Sequence, residues 1–254
     1  MATQKQKKFT GFRIAGTSVA AVALAFVLGL NVSSAFAATM RNIPLIGSAA
    51  KFLTFREYEK KTDTYAVQID TAKISGMGNG ALETALNEKY MEQSKRLYNE
   101  FMSKIKAGDE NIGLFSNYTV KADNGVTVSI ENAVTETAAS GYEKLAYDTL
   151  DVKNERYITL KSLFVDDSYI DVISKNISEQ ISAQMSADAA KVYFTNENKF
   201  KAISGDQAFY INNDNKLVVA FDEYAIAPGY MGTVEFMIPT EALRNILVSG
   251  EYIH

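Results

Sequence analysis

The side chains that could do chemistry in this chain are limited to carboxylates, hydroxyls and amines. The sequence contains no cysteine, and its one histidine is His254, the last residue. Histidine-based triads, thiol nucleophiles and the usual zinc ligand sets are therefore excluded. The glycine motifs that bind phosphates and dinucleotides, and the Gly-x-Ser-x-Gly nucleophile motif, are absent as well. A hydrolase that uses carboxylates alone or a Ser–Lys pair fits this inventory, but no motif points to one. We expect no catalytic residue, no metal site and no cofactor.

Three clusters of carboxylate and amide side chains remain as candidates for cation binding. Asp166-Asp167 precedes a predicted helix and is best interpreted as its N-terminal cap. Asn212-Asn213-Asp214-Asn215 lies between two predicted strands, where Asn and Asp favour a turn because they tolerate left-handed backbone. Asp222-Glu223 follows a strand, but no spacing in the chain resembles a calcium-binding loop. These clusters favour structural roles over a metal centre.

The most distinctive segment runs from Phe221 to Gly232, between two predicted strands, and contains Ala227-Pro228-Gly229-Tyr230-Met231-Gly232. Proline fixes φ and glycine permits positive φ, so these residues restrict the backbone to few shapes. Tyr230 and Met231 at the tip of a turn favour a protein interface, because tyrosine and methionine are enriched at such surfaces. The alternative is that Tyr230 folds back and covers the sheet.

Charge is distributed unevenly along the chain. Four of the 26 basic residues precede Ala38, whereas all 30 acidic residues follow it, so residues 38–254 carry a net charge of −8. A domain with this charge repels nucleic acid and anionic lipid headgroups and favours a basic partner. The simpler interpretation is that the charge keeps an exported domain soluble.

The first 37 residues have the organisation of an export or membrane-anchoring segment. Basic residues up to Arg13 precede a run of 17 uncharged, mostly apolar residues, Ile14–Leu30. The small residues Ala35 and Ala37 then match the pattern that signal peptidase recognises, which predicts cleavage before Ala38. An uncleaved anchor over residues 14–30 is the alternative, since about 25 Å of helix falls only slightly short of the hydrocarbon core. Both interpretations place the rest of the chain outside the membrane, because positive charges stay on the cytoplasmic side.

Hydrophobic periodicity predicts an α+β fold in which helices pack on an antiparallel sheet, after the N-terminal signal or membrane-anchor helix. Residues 78–108 read as a long helix whose buried stripe repeats at spacings of four and seven: Leu82, Leu86, Tyr90, Leu97, Phe101 and Ile105. A second helix is predicted after Ser168, with a stripe formed by Ile170, Ile173, Ile177 and Ile181. A last short helix is predicted from Pro239 through Val248.

Alternation with a period of two predicts strands around these helices. Asn124-Gly125 is a strong hairpin signal between predicted strands at 118–121 and 126–130. Further strands are predicted at 65–69, 142–152, 156–160, 208–211, 217–221 and 234–238. We divide the chain into the signal or anchor segment 1–37, a connector 38–57, an N-terminal α+β subdomain with the long helix, 58–135, and a C-terminal α+β domain, 136–254.

The C-terminal half resembles the extracytoplasmic domain of RsiV-type anti-sigma factors. The resemblance rests on Ile158-Thr159-Leu160-Lys161-Ser162-Leu163-Phe164, Leu217-Val218-Val219-Ala220-Phe221, residues 223–232, and Glu235-Phe236-Met237-Ile238-Pro239. The long helix, with the preceding Ile74-Ser75-Gly76, resembles the domain that comes before it in the same family. The resemblance covers about Arg56–Pro239, and similar domain pairs occur beside peptidoglycan deacetylase domains as non-catalytic attachments.

The resemblance implies a receptor whose outer domain binds lysozyme, and whose binding exposes a signal-peptidase site that corresponds here to Ala35, Ala37 and Ala38. The acidic domain suits lysozyme, which is basic. The residues expected to meet the partner are Asp222, Glu223, Tyr224, Pro228, Gly229, Tyr230 and Met231, with Tyr230 as the apolar anchor and the two carboxylates speeding encounter. Such a domain acts either as a sensor in anti-sigma signalling or as a decoy that occupies the enzyme. A non-catalytic accessory module that binds peptidoglycan or the cell wall is the alternative.

The same family carries a cytoplasmic sigma-binding segment of several tens of residues before the membrane helix. Here 13 residues precede Ile14. That length is shorter than such a segment, which leaves two interpretations: a truncated start, or a stand-alone exported relative that keeps only the outer domain's role.

Overall fold

The structure, a computed structural model, describes residues 45–46 and 50–254. The predicted signal or anchor segment and its cleavage site at Ala35, Ala37 and Ala38 lie outside the described residues. Within the part of the chain that the structure describes, no helix is long and apolar enough to cross a membrane.

The predicted α+β fold is confirmed, and its larger part is a seven-stranded sheet with the strands in chain order. These strands are β1 (Leu45–Ile46), β2 (Ala50–Lys61), β3 (Tyr65–Ser75), β4 (Ile112–Asp123), β5 (Thr127–Thr137), β6 (Gly141–Asp151) and β7 (Arg156–Ile158). All neighbours pair antiparallel except β3 and β4, which pair in parallel. The parallel pair needs a long connection, and helix α1 (Gly80–Lys106) provides it.

Helix α1 packs its predicted apolar stripe against this sheet. Leu86, Tyr90 and Phe101 are buried, and the remaining stripe residues are partly buried against the same two clusters of the core. The Asn79 side chain caps the helix by accepting a hydrogen bond from the Leu82 N–H at 3.2 Å. The helix ends before Gly108, because a φ of 101° is incompatible with a right-handed helix.

The second sheet is a three-stranded meander in the order β10-β9-β8, formed by β8 (Phe209–Ile211), β9 (Leu217–Phe221) and β10 (Val234–Ile238). Helix α2 (Tyr169–Ala187) follows a 3-10 turn at Lys161–Leu163 and covers one face of this sheet. The predicted stripe is confirmed: Ile173 and Ile177 are fully buried, and Ile170 and Ile181 are partly buried beside them.

The predicted length of the last helix is wrong. Helix α3 covers Thr240–Leu243 alone. The chain beyond it runs beside residues 163–164, where Leu247 forms a β-bridge with Phe164 and the Val248 N–H donates to the Leu163 carbonyl at 3.0 Å. Tertiary pairing therefore replaces the rest of the expected helix, residues 244–248.

The structure also divides the chain differently from the sequence-based scheme. Strand β2 occupies the second part of the expected connector 38–57, and a bulge between Arg56 and Tyr58 interrupts the alternation that would have revealed it. The expected boundary at 135/136 falls inside β5, which pairs with β6 up to Thr137 and Gly141. The C-terminal core begins at Ile158, so the change of core comes at β7.

The two sheets meet across a small mixed interface. Ala122 and Tyr147 of the first sheet pack against Tyr210 and Val218 of the second. Beside them the Lys121 ammonium lies 3.0 Å from the Glu131 carboxylate and 2.9 Å from the Glu235 carboxylate. Burial opposes the charge on Lys121, but hydrogen bonds to Glu235 and Glu131 outweigh it and raise the pKa of this ammonium group. The charge at this junction is therefore permanent at neutral pH.

Candidate functional site

The segment that joins β9 to β10, residues 222–233, is called the Tyr230 loop. Its backbone takes an unusual path at two positions. Tyr224 has a φ of 63°, a left-handed conformation that is uncommon outside glycine, and Gly232 has φ 63° and ψ −153°, a region that is open almost only to glycine. Between them Pro228 leads into a 3-10 turn at Gly229–Met231. The predicted restriction of the backbone is present at these residues.

The rear of the Tyr230 loop is part of the C-terminal core. Ile226 and Ala227 are buried there, and Met231 packs against the same cluster from a partly buried position. The Phe194 N–H donates to the Ile226 carbonyl at 2.9 Å and fastens the loop to the segment after α2. Because its rear is buried, the loop presents its tip in a fixed orientation.

Asp222 and Glu223 bind the loop to the first sheet. The Asp222 carboxylate accepts a hydrogen bond from the Leu145 N–H at 2.8 Å, and the Glu223 carboxylate accepts one from the Glu143 N–H at 3.0 Å. The Glu223 N–H in turn donates to the Glu143 carbonyl at 3.0 Å. Both carboxylates thus engage the backbone of β6, where they hold the loop against the β5–β6 hairpin. From the sequence, we expected Asp222 and Glu223 to attract a partner from solution instead.

Two tyrosines of the loop project into solvent. The Tyr230 side chain is 69% exposed, and its hydroxyl approaches the Ala190 carbonyl at 3.5 Å. The Tyr224 side chain is 44% exposed and lies over Gly229, where a Cβ atom would stand 2.2 Å from the phenol carbon and oxygen. Gly229 therefore has to be glycine while Tyr224 keeps this position.

A third tyrosine, Tyr142 at the start of β6, extends this surface onto the first sheet. Its ring centroid lies 6.3 Å from that of Tyr224 at an interplanar angle of 42°. The Lys144 ammonium lies 5.1 Å from the centroid of the Tyr142 ring, within cation–π distance. Sequence reasoning missed Tyr142, because the residues around it read as a soft domain boundary and the loop is 80 residues away along the chain. We call Tyr142, Tyr224 and Tyr230 together the tyrosine surface.

The base of the loop is acidic. Burial, together with the neighbouring carboxylates of Glu131 and Glu223, raises the pKa of Glu143 above its ordinary value. Such a carboxyl group holds its proton more tightly as surrounding negative charge increases.

The other polar clusters have structural roles. The Asp166 carboxylate accepts from the Ser168 N–H at 2.9 Å at the start of α2, although Ser168, the capping residue, makes no side-chain cap bond. The Asn212 side chain accepts from the N–H groups of Asp214 and Lys216 and forms the predicted turn. Among the residues described, no three His, Cys, Asp or Glu side chains are grouped so that they could hold a metal ion.

The fold has counterparts among solved structures. A DUF3298 family protein from Pseudomonas aeruginosa PAO1 aligns with a TM-score of 0.61 at 14% identity, over 84% of this chain and 98% of that one. A DUF3298 family member from Bacteroides fragilis aligns with a TM-score of 0.53 at 17% identity, over 81% and 96% of the two chains. The family model described as a protein of unknown function (DUF3298) matches residues 161–241, which include α2, the second sheet and the whole Tyr230 loop. Residues 161–241 thus match the DUF3298 domain, and the two solved structures share the fold of most of the chain.

Sequence similarity then gives the particular family. The chain is 43% identical over 239 residues to anti-sigma-V factor RsiV of Bacillus subtilis, which covers 92% of this chain and 83% of that protein. The chain belongs to the RsiV family of anti-sigma factors.

Proposed function

We propose that this chain is the sensor of an anti-sigma pathway, and that its Tyr230 loop binds lysozyme or a similar basic, wall-directed protein outside the membrane. The observation that carries the proposal is the position of Tyr230. This large side chain is 69% exposed at the tip of a loop whose rear is buried. An exposed aromatic residue on a fixed backbone loses little entropy when it becomes buried in a partner, as hot-spot residues do.

The tyrosine surface supports the same interpretation. The Tyr142 ring on β6 lies 6.3 Å from the Tyr224 ring in the Tyr230 loop, and Tyr230 projects from the same loop. Hydrogen bonds between Glu143 and Glu223 join the loop to β6. Tyrosine presents an apolar ring and a hydroxyl that can donate or accept, so such a surface suits a partner of mixed polarity. Pro228, Gly229 and Met231 act in this proposal by fixing the shape of the tip.

Charge supports a basic partner. The net charge of −8 over residues 38–254 attracts a cationic protein over a distance of several ångströms and raises the association rate. Because Asp222 and Glu223 are bound to β6, we assign this attraction to the whole acidic domain and not to these two residues alone.

We further propose that the chain is anchored or processed at its N-terminus and that its partner inside the cell is a sigma factor. Family membership with a protein named an anti-sigma factor supports this partner. Signal peptidase would cut at Ala35-Phe36-Ala37 once the outer domain is occupied. The proposal assigns no catalysis to the chain, in keeping with a regulatory family.

Calorimetric titration of the exported part with lysozyme tests the proposal. Binding at micromolar concentration or tighter, with an association rate that falls as salt rises, is the expected result. No heat at micromolar concentration, together with co-sedimentation of the protein with insoluble wall material, would replace lysozyme with peptidoglycan as the ligand.

A further inference from the structure

A groove of about 390 Å³ runs along one flank of helix α1. Its lining consists of a small side chain, two carboxylates, two cations and an amide: Ala85, Glu88, Glu92, Lys89, Arg96 and Gln93. Spacings of three and four place these residues on one side of the helix, over about 17 Å of its length. A volume of this size is typical of sites that bind small ligands. We call this feature the α1 groove.

The charges of the α1 groove cancel. Glu88 and Glu92 balance Lys89 and Arg96, although residues 38–254 as a whole carry a net charge of −8. A lining without net charge gives no attraction to an anionic polymer or to a basic protein, and its polar side chains offer little apolar surface to lipid. The ligand that suits this groove is neutral and rich in hydroxyl groups.

One part of the groove adjoins a network of neutral hydrogen-bonding side chains. The Gln93 amide donates to the Asn132 amide oxygen at 3.1 Å and accepts from the Tyr118 hydroxyl at 3.2 Å. Asn132 in turn donates to the Ser116 hydroxyl and the Asn117 carbonyl, both at 3.1 Å. These contacts fix the plane of the Gln93 amide and leave it one N–H and one lone pair for a ligand.

Near Lys89 the groove adjoins the exposed ring of Tyr157 on β7. The Tyr157 side chain is 41% exposed, and its hydroxyl donates to the Asp148 carboxylate at 2.6 Å. The Lys89 ammonium pairs with the same carboxylate and lies 5.5 Å from the centroid of the Tyr157 ring. The ring is therefore held at the surface with its orientation fixed. An exposed, fixed aromatic ring is a platform on which the C–H face of a sugar can stack.

The polar layer beside the groove has unused hydrogen-bonding capacity. Tyr90, which follows Lys89 in the chain, is fully buried, and among the described residues its hydroxyl has no hydrogen-bond partner. Burial and the charge of Asp148 raise the pKa of Tyr90, so the hydroxyl keeps its proton and stays a donor. A buried donor without an acceptor costs free energy, which an ordered water beneath a bound, hydroxylated ligand would recover.

We propose that the α1 groove binds a neutral oligosaccharide, with one sugar stacked on the Tyr157 ring and its neighbours hydrogen-bonded to Gln93 and the charged side chains of α1. The groove lies on α1 and β7, whereas the tyrosine surface lies on β6 and the Tyr230 loop. This binding site is therefore separate from the proposed lysozyme site, and the proposal does not rest on the proposed function.

Calorimetric titration of the full chain with N-acetylchitotetraose and with cellotetraose tests the proposal. We expect at least one of these neutral tetramers to bind with about millimolar affinity or tighter, and the affinity to stay the same when the salt concentration is raised tenfold. Tyr157→Ala should weaken this binding by about fivefold to tenfold, because the stacking ring is lost. Tyr157→Phe should keep most of the affinity, and Val165→Ala, at an exposed side chain outside the groove, should bind unchanged.

Failure of both tetramers to bind would overturn the proposal. Tighter binding of an anionic polysaccharide, weakened by salt, would overturn the neutral ligand. Equal affinities of Tyr157→Ala and Val165→Ala would place the sugar outside the groove. Co-sedimentation of the parent with insoluble wall material, lost in Tyr157→Ala, would identify a wall glycan as the source of the sugar, whereas binding of the tetramers alone would identify a free oligosaccharide. No titration contains lysozyme, so its failure as a ligand is distinguished from failure of the groove.

Discussion

Replacing Gly229 with alanine should destabilise the protein through one side-chain clash. A Cβ atom at this position would lie 2.2 Å from the Cζ and Oη atoms of Tyr224 and 2.6 Å from its Cε1 atom, well inside contact distance. The φ of Gly229 is not positive, so alanine suits the backbone and the Tyr224 ring is the obstacle. Since Tyr224 is 44% exposed, the ring can swing into solvent, but it then loses its contact with Tyr142.

The loss of this aromatic contact and the local overpacking together should lower the free energy of unfolding by about 1–2 kcal/mol. Urea unfolding followed by circular dichroism measures it, since the chain has no tryptophan for fluorescence. Because the displaced ring belongs to the tyrosine surface, lysozyme binding should weaken as well.

Two comparisons make this prediction specific. Gly141→Ala is the matched control, because an added Cβ there meets no heavy atom within 4 Å. In a Tyr224→Ala background the obstacle is gone, and Gly229→Ala should then have little effect on stability. An equal loss of stability in both backgrounds would refute the assignment of the clash to the Tyr224 ring.

Three further predictions concern stability. Glu143→Gln should stabilise the protein at pH 7 by up to about 0.5 kcal/mol, because the raised pKa of Glu143 means that folding disfavours its ionised form. The gain should vanish below the ordinary glutamate pKa of about 4.3, where Glu143 is protonated in both the folded and the unfolded protein. Urea titrations at pH 7 and pH 3.5 measure the difference. Glu155→Ala should lower the free energy of unfolding by about 0.5–2 kcal/mol in the same assay, because the Glu155 carboxylate accepts from the Gly78 N–H at 2.7 Å and from the Asn79 N–H just before α1. An unchanged urea midpoint would show that these hydrogen bonds do not stabilise the start of α1. Lys121→Met should lower the free energy of unfolding by about 1–3 kcal/mol, because it leaves the Glu131 and Glu235 carboxylates facing each other without a cation. Adding Glu235→Gln should recover part of this loss. Strict additivity of the two changes would contradict an interaction between Lys121 and Glu235.

The sequence was informative wherever structure depends on neighbours along the chain. The spacing of Leu86, Tyr90 and Phe101 predicted the buried face of α1, and Asn124-Gly125 predicted the β4–β5 turn, because both signals are local. The length of the last helix was not predictable, since its end depends on pairing between Leu247 and Phe164. The parallel pairing of β3 with β4 was missed for the same reason: pairing partners leave no mark in the periodicity of a single strand.

The candidate site was predictable in part. Pro228, Gly229 and Gly232 indicated a restricted loop, and an exposed Tyr230 was one of two open alternatives, the one that the structure adopts. The roles of Asp222 and Glu223 were not predictable, because their hydrogen bonds go to the backbone of β6, 77 and 80 residues away. Tyr142 reaches the surface through the same long-range contact, so local sequence gave no sign of it.

The most direct test of the account is a lysozyme titration of three variants of the exported part. Tyr230→Ala should weaken binding by about 2 kcal/mol or more, as expected of an exposed anchor that becomes buried. Tyr230→Phe should keep most of the affinity, because it keeps the ring that becomes buried. Val165→Ala, at a side chain 61% exposed outside the Tyr230 loop, should bind unchanged. If Tyr230→Ala binds as tightly as Val165→Ala, the Tyr230 loop is not the site of recognition.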